Sequence, residues 1–136
     1  MIHKTNVWVW SYNKNNTPLD FSTAGKWLSS GTPKRFAKLF PTIDALVEQG
    51  LLFKAKYTHK ENLDYDPLPY EKSVLCVYAD GITKEQVKNI IRGLGTRSLT
   101  WKYETQSIKD WLPGGTLYEK SQQQKLRYLY EHDCWA

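Results

Sequence analysis

The sequence predicts an α+β domain: a mainly antiparallel sheet with two or three helices on one face and an open or concave opposite face. Three observations lead there. Alternating apolar segments outnumber helical stripes, in the order β, β, α, β, β, α, β with two further strands expected at the end. The helical stripes are too few to supply a crossover between every pair of strands, so parallel units are scarce. The length of 136 residues gives one core and not two, so residues 1–136 read as a single domain.

The first strand is Asn6 to Tyr12, where β-branched and aromatic residues alternate. Val7 and Val9 share one face and are expected to meet helices. Trp8, Trp10 and Tyr12 share the other, which then lines a second layer or a cavity. Asn13 to Asp20 is a loop by composition, and Gly25-Lys26-Trp27-Leu28 is a short second strand. Thr32 followed by Pro33 is an N-cap with proline in the first turn. Phe36, Leu39, Phe40, Ile43, Leu46 and Val47 then form one helical stripe. Pro41 inside it is expected to kink or restart the helix, and Gly50 to end it.

Leu51 to Thr58 reads as a strand with Leu51, Phe53, Ala55 and Tyr57 on one face and Leu52, Lys54, Lys56 and Thr58 on the other. His59 sits at its exit, and a long polar loop runs on to Tyr70. Lys72 to Ala79 is a near-continuous apolar run and therefore a central strand. Thr83 and Gln86 have the spacing of a capping box. Val87, Ile90, Ile91 and Leu94 make the second helical stripe, ended by Gly93 and Gly95. Leu99 to Glu104 is a further strand, whose Trp101 and Tyr103 are expected near the first strand's rings or in the core. Ser107 to Leu112 reads as a helical turn. Thr116 to Glu131 reads as a hairpin, because Leu126, Tyr128 and Tyr130 alternate, although its Gln and Lys favour helix.

The net charge is +5, and it is localised. Residues 26–60 hold Lys26, Lys34, Arg35, Lys38, Lys54, Lys56 and Lys60 against Asp44 and Glu48, an excess equal to the whole net charge. Such a segment suits an anionic partner, or is simply a solvated basic face. The six Trp and nine Tyr suit a small core and also make stacking platforms for bases. Cys76 and Cys134 have no metal-ligand spacing. Cys76 lies in an apolar run and is expected to be a buried thiol. The N-terminal residues lack the apolar core of a signal peptide, and no apolar stretch approaches the ~20 residues that span a bilayer. The expectation is a soluble cytoplasmic protein with no membrane partner.

The candidate site is built on Lys54 and Lys56. Two residues apart on a strand, they send both ammonium groups to one side. If that side is enclosed, an anion belongs there, because an unpaired buried charge is costly. If it is wet, the lysines are ordinary surface groups. Trp8, Trp10 and Tyr12 are the candidate stacking platform. Lys26 and Lys102 extend the basic patch and Arg97 stands at its rim. His59 with Lys54 and Lys56 is the cluster that could carry chemistry, with the histidine exchanging a proton and the lysines neutralising a phosphoryl group or acting as base. Arg92 reads as a helix C-terminal cation. Asp64 and Asp66 read as turn residues, and His3 and His132 have no assigned role. No P-loop, dinucleotide fingerprint, zinc pattern or nucleophile-elbow motif is present, so no cofactor and no metal is expected.

Val7-Trp8-Val9-Trp10, Gly25-Lys26-Trp27-Leu28, Glu48-Gln49-Gly50-Leu51, Phe53-Lys54-Ala55-Lys56, Val74-Leu75-Cys76-Val77-Tyr78 and Leu99-Thr100-Trp101-Lys102-Tyr103 follow one another in an order that resembles the basophilic-leukaemia-expressed protein family, also labelled a phosphothreonine lyase domain. The resemblance covers most of residues 5–118 and leaves a C-terminal extension, 119–136, of different composition. It implies a curved antiparallel sheet with helices behind it, similar in fold to the cap-binding translation initiation factor 4E. In those relatives the concave side holds a nucleotide between rings and basic side chains. The lyase label implies a lysine base and a histidine acid.

Three functions follow as expectations. The first is a binder of a phosphorylated nucleotide or cyclic nucleotide signal, for instance a viral protein in the host cytoplasm that sequesters or degrades an immune signal. The second is a metal-independent phosphodiesterase or lyase using Lys54, Lys56 and His59. The third is an RNA- or protein-interaction module. The different composition of the tail leaves it either to cover the site or to make a homo-oligomer contact.

Overall fold

Which face of each strand is buried depends on register, and register is what the structure adds. The computed structural model describes residues 1–59 and 72–131, with side chains through Lys125. The strands are β1 (Ile2–Lys4), β2 (Trp8–Tyr12), β3 (Gly25–Gly31), β4 (Lys54–Thr58), β5 (Ser73–Ala79) and β6 (Thr100–Tyr103). The helices are α1 (Pro33–Glu48), α2 (Lys84–Gly93), α3 (Glu104–Trp111) and α4 (Thr116–Glu131). The six strands form one sheet in the order β1-β2-β4-β5-β3-β6, with every neighbouring pair antiparallel. The α+β expectation holds with α1 and α2 on one face, but the opposite face is not left open: α3 lies against it near β3 and β6.

The pairings sort the side chains into two faces. Val9 lies opposite Tyr57, Ala55 opposite Val77, and Val77 opposite Trp27. These residues share a buried cluster with Phe36, Phe40, Ile43 and Val47 of α1 and with Val87 and Ile91 of α2. Each large apolar side chain buried there contributes about 1.5–3 kcal/mol relative to exposure. Every residue of β5 is buried, which accounts for its continuous apolar run.

α1 begins where Thr32 Oγ1 accepts the Arg35 N–H, with Pro33 in the first turn. It runs through Pro41 as one helix and does not restart. Gly50 follows at φ +77°, a conformation that glycine adopts without a Cβ clash. The amide of Asn16 donates to the carbonyls of Val47, Leu52 and Phe53 at 3.0, 3.2 and 3.0 Å, tying the loop after β2 to the end of α1.

Several expectations are corrected. The strand at 51–58 starts only at Lys54. Before it, the N–H groups of Leu51 and Leu52 bond back to the Leu46 carbonyl, so the backbone is still closing the helix and strict alternation does not apply. Leu52 therefore enters the helix-side core, and Phe53 packs against the lysine face. Thr83 caps α2 without a side-chain bond to its amides, so no capping box forms. The carboxylate of Asp80 instead accepts from the Ile82 and Thr83 N–H groups and the Thr83 hydroxyl, each at 3.0 Å.

The tail is helix α4, not a hairpin. Glu, Lys, Gln and Leu without glycine or proline outweigh a short alternation. α4 packs on α3. β6 pairs with β3 at the sheet edge remote from β2, so Trp101 and Tyr103 are far in strand order from Trp8 and Trp10. β1, three residues long, was too short to read as a period. The polar segment 60–71 with Lys60, Asp64 and Asp66, and the terminal His132 and Cys134, lie outside the described residues. Among the described residues, no helix is long and apolar enough to cross a membrane.

Candidate functional site

The face away from α1 and α2 is built by simple alternation. With Val9, Ala55 and Val77 turned to the helices, Trp8, Trp10 and Tyr12 of β2, Lys54 and Lys56 of β4, Cys76 and Tyr78 of β5, and Lys26 of β3 turn the other way. The register sets Trp10 directly opposite Lys56, Tyr12 opposite Lys54, Lys56 opposite Cys76 and Lys26 opposite Tyr78. Rings and ammonium groups are thereby interleaved across four strands.

The distances are those of cation–π contacts. Lys56 Nζ is 3.9 Å from the Trp8 ring centroid and 4.6 Å from that of Trp10. Lys54 Nζ is 4.4 Å from Tyr78 and 5.6 Å from Trp10. Lys26 Nζ is 5.4 Å from Tyr78. Trp10 and Tyr78 stack with centroids 6.2 Å apart. Each such contact contributes about 0.5–2 kcal/mol, more where water is excluded.

The cations differ in how they are compensated. α3 crosses this face near β3 and β6, and its Glu104 meets Lys26 at 3.4 Å while its Asp110 meets Lys102 at 2.6 Å. Among the described residues, no carboxylate forms an ion pair with Lys54 or Lys56. Burial pushes the Lys56 ammonium down to about 8, with Lys26 and Lys54 adding to the lowering and Cys76 and Glu104 opposing it. Burial lowers Lys54 as well. The free thiol of Cys76 is buried beneath them and is pushed up by that burial.

Two cavities flank the cluster. One, of about 480 Å³, is lined by His3, Trp10, Tyr12, Phe53 and Lys54 together with the loop after β2. The other, of about 290 Å³, lies under α3 and is lined by Trp8, Lys26, Lys56, Lys102, Ser107 and Trp111.

The structure thus brings together Trp8, Trp10, Tyr12, Lys26, Lys54, Lys56 and Lys102. It does not bring His59 to them. His59 follows β4 out of phase with the lysines, and its Nε2–H donates to the Thr5 carbonyl at 2.6 Å. It lines a separate depression with Thr32, Pro33 and Ser73. Arg97 is exposed in the connection between α2 and β6 and lines neither cavity on this face. Tyr78, Ser107 and Trp111 were not singled out from the sequence. Tyr78 alternates with Cys76, a signal that becomes useful only once β5 is known to neighbour β4. Ser107 and Trp111 reach the site through the placement of α3, for which no local pattern exists.

Fold and face together define an α+β protein whose sheet carries an apolar core on one side and a lysine–indole surface on the other. The chain matches no protein-family model and no curated protein at a significant level.

Proposed function

We propose that the lysine–indole face binds a phosphorylated small molecule, a nucleotide by preference, with the rings of Trp8 and Trp10 against its base or sugar and Lys54 and Lys56 against its phosphate. One observation carries this reading. Lys56 is held largely out of water between two indoles, with no carboxylate paired to it among the described residues. A buried cation in that state is stabilised by an incoming anion more than a solvated one would be. Kinship with the initiation-factor-4E-like fold belongs to the same proposal. Its support is the antiparallel sheet, the two helices on one face and the aromatic, basic character of the other.

Thermal denaturation with nucleoside mono- and triphosphates and cyclic nucleotides, in the presence of EDTA, tests it. A ligand at ~100 times its Kd stabilises by about 2.7 kcal/mol. The stabilisation is expected to disappear in Lys56→Ala and Trp8→Ala. No response to any phosphorylated ligand at roughly 500 μM, more than enough to fill sites of ordinary nucleotide affinity, overturns the reading.

A second reading has an observation of its own. A lysine titrating near 8 holds a usable neutral fraction close to neutral pH and is suited to act as a general base. Phosphodiesterase or lyase chemistry would then rest on Lys56, with His59 left to its bond with Thr5. Turnover that rises with pH toward 8 and is lost in Lys56→Met selects this reading over binding alone.

A further inference from the structure

The cavity under α3 has unequal charges. Three ammonium groups reach it, from Lys26, Lys56 and Lys102. Two are met by carboxylates of α3: Asp110 pairs closely with Lys102 at 2.6 Å, and Glu104 stands 3.4 Å from Lys26 as an ion pair without a hydrogen bond. Among the described residues Lys56 remains as the one ammonium of the three with no carboxylate paired to it. The same helix supplies Ser107, which is 6% exposed and whose Oγ has no hydrogen-bond partner among the described residues. A buried hydroxyl left unpaired costs about 1–3 kcal/mol, so this donor is poised for a guest. The indoles of Trp8 and Trp111 wall the remaining space.

We infer that this cavity is a subsite for a singly charged phosphodiester group, held by Lys56 and Ser107, and that the carboxylates of α3 set its preference against doubly charged phosphomonoesters. The inference rests on the phosphate-binding reading above and specifies its ligand. A monoanion is neutralised by Lys56 alone, while one of its non-bridging oxygens accepts from Ser107 Oγ. A dianion needs a second cation. Among the cations that line this cavity, it gains one only by drawing Lys26 from Glu104, or Lys102 from Asp110, and so leaves a part-buried carboxylate unpaired, which is costly; Lys54 lines the other cavity and not this one. Both a cyclic nucleotide and an RNA backbone carry the diester monoanion, and the cavity's volume of about 290 Å³ suits the small molecule.

The test is calorimetric titration at neutral pH with 3′,5′-cyclic AMP against 5′-AMP, and with the corresponding guanosine pair so that base preference cancels. The cyclic forms are expected to bind tighter by roughly fivefold, the factor that one partly screened charge pair makes. Asp110→Asn, which keeps an acceptor for Lys102, and Glu104→Gln, which frees Lys26, should each shift the ratio toward the linear monophosphate by a similar factor. Ser107→Ala should weaken the cyclic form by roughly fivefold, one hydrogen bond's worth, without lowering the melting temperature of the free protein. A hydroxyl with only a structural role would move the melting temperature instead.

Tighter binding of the linear monophosphates, or a ratio unmoved in both α3 variants, overturns the inference while leaving the phosphate-binding reading in place. Failure of every nucleotide to bind removes both. A decauridylate that competes with the cyclic nucleotide, with the same dependence on Lys56, identifies the diester as part of a chain. A decauridylate that does not compete identifies it as a free small molecule.

Discussion

Lys56 is subject to two opposed forces. Loss of water disfavours its ammonium and lowers its pKa from 10.5 to about 8, while the faces of Trp8 and Trp10 attract the charge. The direction of its effect on folding follows. Between about 8 and 10.5 the unfolded chain still holds a proton that the folded chain has released. This residue's contribution to stability therefore rises with pH across that window, and the protonated form is unfavourable below it. Lys56→Met is expected to stabilise the free protein by about 1 kcal/mol at neutral pH, with the gain fading by about pH 10.5, as read from melting temperatures across pH. The anion binding proposed for this face is expected to respond in the opposite sense. It needs the ammonium, so affinity falls as pH rises above about 8, by up to roughly tenfold per pH unit. That Lys54 and Lys56 share a face was legible from their two-residue spacing. Which rings they meet was not, because Tyr78 and Trp8 come from strands whose neighbours only the pairing reveals.

At the scale of the element, Asp80 shows how a junction is held. Its carboxylate takes three donors from Ile82 and Thr83 and a fourth from the Asp20 N–H at 3.1 Å. Burial works to raise its pKa, but these donors stabilise the charged form and hold it below the usual carboxylate range. The stability it contributes is thus present above about pH 4 and is lost as pH falls through its lower folded value. Asp80→Ala is expected to cost roughly 2–4 kcal/mol in urea denaturation and to loosen both the start of α2 and the loop at Asp20. The sequence motif at Thr83 and Gln86 pointed to the right helix start and the wrong capping group. The side chain three residues upstream competes for the same amides, and spacing alone does not decide between them. The tail was misread for a related reason: in Thr116 to Glu131 a brief alternation competes with helix propensity, and packing on α3 favours the helix.

For the whole molecule, one sheet separates two kinds of chemistry. Phe40, 2% exposed and set edge-on to Tyr57 at 4.8 Å, belongs wholly to the helix side. Trp8 belongs to the lysine side. Phe40→Ala is expected to lose about 3–5 kcal/mol of stability while the folded fraction keeps the nucleotide affinity proposed for the other face. Trp8→Ala is expected to lose about 1–3 kcal/mol of binding with a smaller effect on stability. Denaturation and titration of the two variants give the comparison, and parallel losses in both would count against the division. The class of fold, the helix-facing side of β2 and the central place of β5 were all legible, because each rests on periodicity within one segment. The strand order was not, since no segment states its partner.

That order shapes how the chain must fold. Apart from β1–β2 and β4–β5, every ladder joins strands that are not successive in the chain, and the longest, β3 with β5, brings Gly25 to Ala79 and Gly31 to Ser73. Few of the sheet's contacts are therefore local, so loop closure must precede most of the gain. Folding is expected on the millisecond-to-second scale, not the microsecond scale of helical bundles. The β3–β5 ladder is the step that joins the two halves of the sheet. Val77→Ala at that seam is expected mainly to slow refolding, whereas Val9→Ala near the β1 edge is expected mainly to speed unfolding. Both effects can be read from the two limbs of a chevron plot.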